Sequence, residues 1–96
     1  MHDLVRTADA VVHNMRSSTA RGLGASYQEL SSIKPSLVYC YSPGFGRRGP
    51  DCEKPTYDDT IQARSGLASL NSDSDGEPRF VRTIVCDKVV GLHLAL

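Results

Sequence analysis

The sequence predicts an α/β fold built on two parallel strands joined through a helix. Two short apolar runs rich in valine and tyrosine, Asp9 to Asn14 and Ser36 to Ser42, are typical of buried strands. Between them Ser26 is followed three residues later by Glu29, a capping box, so we expect a helix to begin there and to end before Pro35. Strand, helix and strand in this order form a βαβ unit with a right-handed crossover.

The first third of the chain adds two further expectations. The stretch from His2 to Ala8 has apolar residues at helical spacing, so it is expected to be helical. After the first strand, "SSTARGLGA" is expected to be a loop with about one helical turn, because Gly22 and Gly24 interrupt it.

The second half of the chain reads as two helices separated by irregular chain. A helix is predicted over "TYDDTIQARSGLASL", with Thr56 as its N-cap, Asp58 and Asp59 in its first turn and Gly66 near its end. "FVRTIV" is expected to be a short extended piece, and "CDKVVGLHLAL" to open a final helix. Both ends read as interrupted helices, so we expect residues 1–96 to be a fragment of a larger α/β protein.

Composition argues against several classes of function. The 11 basic and 11 acidic residues balance, which is unlike the basic footprint of a nucleic-acid-binding protein. No apolar run approaches the roughly 18 residues that span a bilayer, so no membrane association is expected. Cys40, Cys52 and Cys86 lack CxxC or CxH spacing, which argues against a disulfide framework and a metal site and fits thiols in a reducing cytoplasm.

Four stretches, in sequence order, carry a resemblance to a known family. They are "ADAVVHNMR", "LGASYQELSSIKPSLVYCYSPGFGRRGP", "PTYDDTIQARSGLASL" and "VCDKVVGLHLAL". Together they resemble the family III CoA-transferases, the CaiB/BaiF family that includes formyl-CoA and carnitine CoA-transferases. The resemblance implies that residues 1–96 belong to the CoA-binding, Rossmann-like large domain as a partial parallel-sheet unit. It also implies an interlocked homodimer in the full-length protein.

By this resemblance Asp87 is the catalytic nucleophile. It would attack the thioester of an acyl-CoA to form a mixed anhydride, and the CoA thiolate would then convert this anhydride into an aspartyl-CoA thioester for an acceptor carboxylic acid to open. Coenzyme A is therefore expected as a substrate and not as a permanently bound cofactor. The start of a helix favours the anionic form of the carboxylate, and the apolar flank "TIVC" limits its hydration. Residue type alone favours the alternative that Asp87 only caps or charges the first helical turn, and the ordered motifs reverse this preference.

The resemblance also implies a coenzyme A pocket at the carboxyl ends of the two strands, where open parallel sheets bind their ligands. Asn14 and Met15 would line it, with Met15 in a place that is usually Phe in the family; the alternative is that Asn14 is a strand-end turn residue. Gly44, Phe45 and Gly46 lie in a loop whose glycines let the backbone approach a ligand closely.

Four arginines are candidate ligands of the coenzyme A phosphates, because guanidinium groups bind phosphate through paired hydrogen bonds. They are Arg16, Arg21, Arg47 and Arg48. The family has its arginine where Gly22 stands in this chain, so Arg21 lies one residue early. For each of the four, the alternative is a solvated surface charge.

Tyr57 separates two activities that share this fold. The α-methylacyl-CoA racemases have a proton-transferring His near this position, whereas Tyr, with an unperturbed pKa of about 10, suits that step poorly. Tyr57 therefore favours a transferase over a racemase. A catalytically silent truncated fragment is the other alternative. His13 and His93 are predicted to be structural or surface groups.

Overall fold

Two short strands and six helices make up the chain, in a computed structural model that describes all of residues 1–96. They divide into two units, Met1–Pro55 and Thr56–Leu96. The first contains α1 (His2–Thr7), β1 (Ala10–His13), α2 (Ser17–Gly22), α3 (Tyr27–Ile33) and β2 (Val38–Tyr41). The second contains α4 (Asp58–Arg64), α5 (Leu67–Leu70) and α6 (Val85–Ala95). None of these helices combines the length and apolar character that crossing a bilayer requires.

The two strands pair in parallel, with Ala10 opposite Val38 and His13 opposite Tyr41. Their carboxyl ends therefore lie at the same edge of the sheet. Between them, α3 begins at the predicted capping box, because the Ser26 hydroxyl accepts the N–H of Glu29 while the Glu29 carboxylate accepts the N–H of Ser26. Such a cap stabilises a helix by about 1 kcal/mol. The predicted α/β unit of two parallel strands with flanking helices is confirmed.

The core of the first unit is built from a few aliphatic side chains. Val5 of α1, Leu30 of α3 and Leu37, just before β2, form one buried cluster, and Leu30 is 0% exposed. Partly buried side chains pack around them, namely Ala8, Val11, Ile33 and Tyr39. Val12 and Val38, whose side chains alternate with those that reach the cluster, are exposed. The core thus lies against one face of the sheet.

Helix α2 forms where a loop with about one helical turn was expected. No side chain at its start caps it, since Arg16 is the N-cap residue and makes no such bond. Instead the carboxylate of Glu53 accepts the backbone N–H of Ser18 at 3.3 Å and its hydroxyl at 2.6 Å. Because 35 residues separate Ser18 from Glu53, local sequence patterns gave no sign of this cap.

The C-terminal half differs from expectation at three places. Tyr57, not Thr56, is the N-cap residue of α4. The single helix that was predicted breaks at Gly66, whose φ of 84° lies in the left-handed region that glycine adopts without strain, so α5 is a separate short helix. The piece that was expected to be extended bends instead, since the N–H of Thr83 turns back to the carbonyl of Val81 at 2.8 Å.

Candidate functional site

The carboxyl ends of β1 and β2 border an open depression in the first unit. Polar and aromatic side chains line it, among them His13, Ser17, Arg21, Tyr39, Tyr41 and Arg47. Two of the four predicted phosphate ligands, Arg21 and Arg47, thus border the same depression. Guanidinium groups beside aromatic rings can bind anionic and planar groups together.

A chain of hydrogen bonds runs through His13 at this edge. The N–H of Met15 donates to Nδ1 of His13 at 3.2 Å, Nε2 of His13 lies 2.5 Å from the Tyr39 hydroxyl oxygen, and that hydroxyl donates to the carbonyl of Ala25 at 2.8 Å. Since Nδ1 accepts and the Tyr39 proton is committed to Ala25, this pattern assigns the His13 proton to Nε2. The His13 ring also stacks on Tyr41, with ring centroids 4.8 Å apart. These bonds fix the backbone directly after β1.

Burial favours the neutral forms of both His13 and Tyr39. It lowers the pKa of His13 below the ordinary value of 6.5. It also raises the pKa of Tyr39 above 10.0, with a smaller contribution from Tyr41. Protonation of Nδ1 would also set an N–H against the N–H of Met15, so the neutral imidazole suits the network. His13 is thus a structural group in this unit.

Acidification is therefore expected to destabilise the first unit through His13. Because the folded pKa is depressed, the folded state binds protons less readily than the unfolded state, and stability falls as pH drops below 6.5 and through the folded pKa. We expect the melting temperature of His13→Gln to change less between about pH 8 and pH 5 than that of the wild type. The control His93→Gln, at an exposed position, should keep the pH dependence of the wild type. An unchanged pH dependence in His13→Gln would contradict this role.

The other predicted pocket residues after β1 are more open to solvent. Asn14 and Arg16 are exposed, and Met15 is half-buried. Arg16 donates from Nη1 to the carbonyl of Glu53 at 3.5 Å. These three residues lie at the same carboxyl edge of the sheet as the depression. They are not among the residues that line the depression.

The predicted glycine loop follows β2 at the same edge. Gly44 and Gly46 are exposed and Phe45 is half-buried. Gly46 has a φ of 82°, so this position requires glycine on conformational grounds. No atom lies within 4 Å of the place where a side chain would begin at Gly46, so that side of the backbone is open to a ligand.

Asp87 belongs to the second unit, in the first turn of α6. The helix begins at Val85, so Asp87 is its third residue. Ile84, the N-cap residue, has an apolar side chain that cannot cap the helix. Its side chain is exposed. A carboxylate at this position is favoured by the partial positive charge of the helix start.

The backbone N–H of Asp87 is bonded by Asp58 of α4. Oδ1 of Asp58 accepts this N–H at 3.0 Å, and Oδ2 accepts from Nε2 of Gln62 at 2.6 Å. Asp58 is 8% exposed and Gln62 is 2% exposed. The sequence indicated Asp58 only as a first-turn residue of its own helix. Its bond across 29 residues was missed, because no local pattern records it.

The pKa of Asp58 reflects competition between burial and hydrogen bonding. Burial favours the neutral acid, but the bonds from Gln62 and from the backbone N–H groups of Asp87 and Cys86 outweigh it, and the pKa lies below 3.8. Asp58 is therefore ionised at neutral pH. Burial, followed by the charges of Asp58 and Asp87, raises the pKa of the Cys86 thiol above 9.0, so this cysteine is not a thiolate near neutrality.

Comparison with known proteins connects both units to one family. The sequence profile of CoA-transferase family III matches residues 1–96. The chain is 36% identical over 90 residues to the succinate–glutarate CoA-transferase of Agrobacterium fabrum, and 41% identical over 79 residues to the acetyl-CoA:oxalate CoA-transferase of Acetobacter aceti. These alignments cover 94% and 82% of this chain, but 22% and 20% of those proteins.

A solved structure agrees with the sequence comparison. The crystal structure of a CaiB/BaiF family protein from Brucella suis matches with a TM-score of 0.87 and 35% identity, over 96% of this chain and 24% of that chain. The chain thus spans about a fifth of the length of the curated relatives it matches. The family resemblance noted in the sequence is confirmed.

Proposed function

Because the chain belongs to CoA-transferase family III, we propose that the complete protein transfers coenzyme A between an acyl-CoA and a carboxylic acid, with Asp87 as its nucleophile. The observation that carries the proposal is the setting of Asp87, an exposed carboxylate in the first turn of an 11-residue helix. The alternative, that Asp87 only caps its helix, is weaker because the carboxylate of Asp58 already accepts an N–H of the first turn of α6.

The proposed reaction exchanges one acyl–sulfur bond for another without net use of water. A carboxylate oxygen of Asp87 attacks the thioester carbon of the donor, and the tetrahedral adduct collapses with cleavage of its C–S bond, which releases coenzyme A as a thiolate and leaves a mixed anhydride on Asp87. The thiolate then attacks the aspartyl carbonyl and releases the donor acid. The acceptor carboxylate opens this aspartyl thioester, and the returning thiolate takes the acceptor acyl group and frees Asp87.

The depression in the first unit supports coenzyme A as the ligand. Arg21 and Arg47 offer guanidinium groups for its phosphates. Met15, half-buried at the end of β1, offers a polarisable apolar surface for its adenine or pantetheine. Asn14, Arg16 and the loop of Gly44, Phe45 and Gly46 belong to the same proposed site.

Covalent trapping tests the proposal. The complete protein is incubated with acyl-CoA, treated with hydroxylamine, and mapped by peptide mass spectrometry. Hydroxylamine converts an aspartyl thioester into a hydroxamate, so we expect the modification on Asp87 with acyl-CoA and none with the free acid alone. A hydroxamate at another residue, or none during active transfer, would remove Asp87 from this role.

The same incubation separates the transferase from the racemase alternative. Tyr57 is 72% exposed and carries a phenol where a racemase needs an imidazole. We therefore expect acyl exchange without wash-in of deuterium beside the thioester. Deuterium incorporation without acyl exchange would favour the racemase.

Three finer parts of the proposal concern the location of the protein, its oligomeric state and the activity of the 96-residue chain alone. We propose a cytoplasmic location, where unpaired thiols stay reduced, and the interlocked homodimer that the family resemblance implies for the full-length protein. The 96-residue chain alone is proposed to lack turnover. A thermal melt and a coenzyme A titration of this chain test whether it folds and binds by itself, and turnover by it would contradict the last part.

A further inference from the structure

We infer that Asp58 is a positioning residue, which holds the Asp87 end of α6 in its reactive orientation through a buried carboxylate-to-backbone hydrogen bond. The inference rests on the proposed function, since it concerns the same nucleophile. It assigns Asp58 no contact with the substrate. Both of its carboxylate oxygens already accept hydrogen bonds from the protein, Oδ1 from the N–H of Asp87 and Oδ2 from Nε2 of Gln62.

Gln62 makes this arrangement rigid. Its Oε1 accepts the N–H of Val81 at 2.8 Å, and its Nε2, besides holding Asp58, lies 3.4 Å from the carbonyl of Thr83. The side chain is 2% exposed, so these bonds are sheltered from water. One buried amide thus fixes both Asp58 and the chain that leads into α6.

Helix α6 depends on this external support at its first turn. Ile84 precedes it without a capping side chain, and the first N–H groups of a helix have no partner within the helix. Asp58 supplies the partner at Asp87 itself. Loss of the bond would free the turn that carries the nucleophile, and small displacements of a reacting group cost roughly 100-fold in rate.

The sequence offers a matched control one residue away. Asp59 lies in the same first turn of α4 and carries the same charge, but it is exposed and its Oδ1 accepts the N–H of the adjacent Thr60 at 2.8 Å. Asp59→Ala removes a carboxylate from the same helical turn without touching α6.

The test uses the complete protein with Asp58→Ala, Asp58→Asn and Asp59→Ala, at a temperature where circular dichroism finds each variant folded. We expect Asp58→Ala to slow single-turnover acylation of Asp87, followed by hydroxylamine trapping, by about 10- to 100-fold. The KM for acyl-CoA should stay within about twofold, because an interaction that only orients the nucleophile acts on kcat. Asp58→Asn keeps an oxygen for the Asp87 N–H and should lose less, and Asp59→Ala should match the wild type.

The outcomes are distinguishable. Wild-type acylation in folded Asp58→Ala, with only a lower melting temperature, would reduce Asp58 to a structural role and overturn the inference. An equal loss in Asp59→Ala would also overturn it, since the effect would then be one of charge. If Asp58→Ala does not fold, Asp58→Leu, which fills the same space without an acceptor oxygen, takes its place, and its acylation rate is compared with that of Asp59→Ala in the same way. Transfer by the wild type without acylation of Asp87 would instead overturn the proposed function.

Discussion

Replacement of Asp87 by alanine in the complete protein is expected to slow CoA transfer by on the order of 1,000-fold or more. The proposed reaction stores the activated acyl group on this side chain, and alanine has no oxygen that could form the anhydride. Raising the substrate concentration should not restore the rate, because the loss lies in the chemical step and not in binding.

This substitution should leave the second unit folded, which makes the result interpretable. The bond from Asp58 reaches the backbone N–H of residue 87, and alanine keeps that N–H. Acyl exchange from a labelled acid into acyl-CoA measures the rate, and Asp59→Ala serves as the control for loss of a nearby carboxylate. Asp87→Asn, which keeps the shape but not the anionic oxygen, should fail as Asp87→Ala does. Full-speed exchange in Asp87→Ala would refute a covalent role.

Elements with a strong local signal could be predicted from the sequence. The two strands lie within the predicted runs, because β-branched and aromatic residues favour extended chain and apolar runs become buried. The capping box at Ser26 and Glu29 also formed as predicted, since its two hydrogen bonds involve residues only three apart.

Features that depend on distant residues could not be predicted in this way. Helix α2 is capped by Glu53, and the first turn of α6 by Asp58, so both helix starts rely on carboxylates about 30 residues away in sequence. The same distinction between local and distant signals applies to the candidate site. Asp87 was found through the ordered motifs of a family, whereas Asp58 emerges only from the contact between α4 and α6.

Leu30→Ala is expected to cause the largest loss of stability in the first unit, about 2–5 kcal/mol. Leu30 is 0% exposed and packs with Val5 and Leu37, so truncation removes buried contacts between α1, α3 and the segment just before β2. Leu23→Ala removes the same atoms from a side chain that is 57% exposed, and should change stability by no more than about 0.5 kcal/mol. Urea unfolding measures both, on the 96-residue chain if its thermal melt shows a cooperative transition and otherwise on the complete protein.

The core prediction also bears on the candidate site. Arg21 of α2 and Tyr39 of β2 line the depression at the carboxyl edge. Tyr39 also packs against the cluster around Leu30. A loss of 2–5 kcal/mol is a large part of the roughly 5–15 kcal/mol that stabilises a whole domain. The coenzyme A binding that we propose for the first unit should therefore weaken in Leu30→Ala and persist in Leu23→Ala. Equal stability of the two variants would mean that this cluster does not hold the sheet and α3 together.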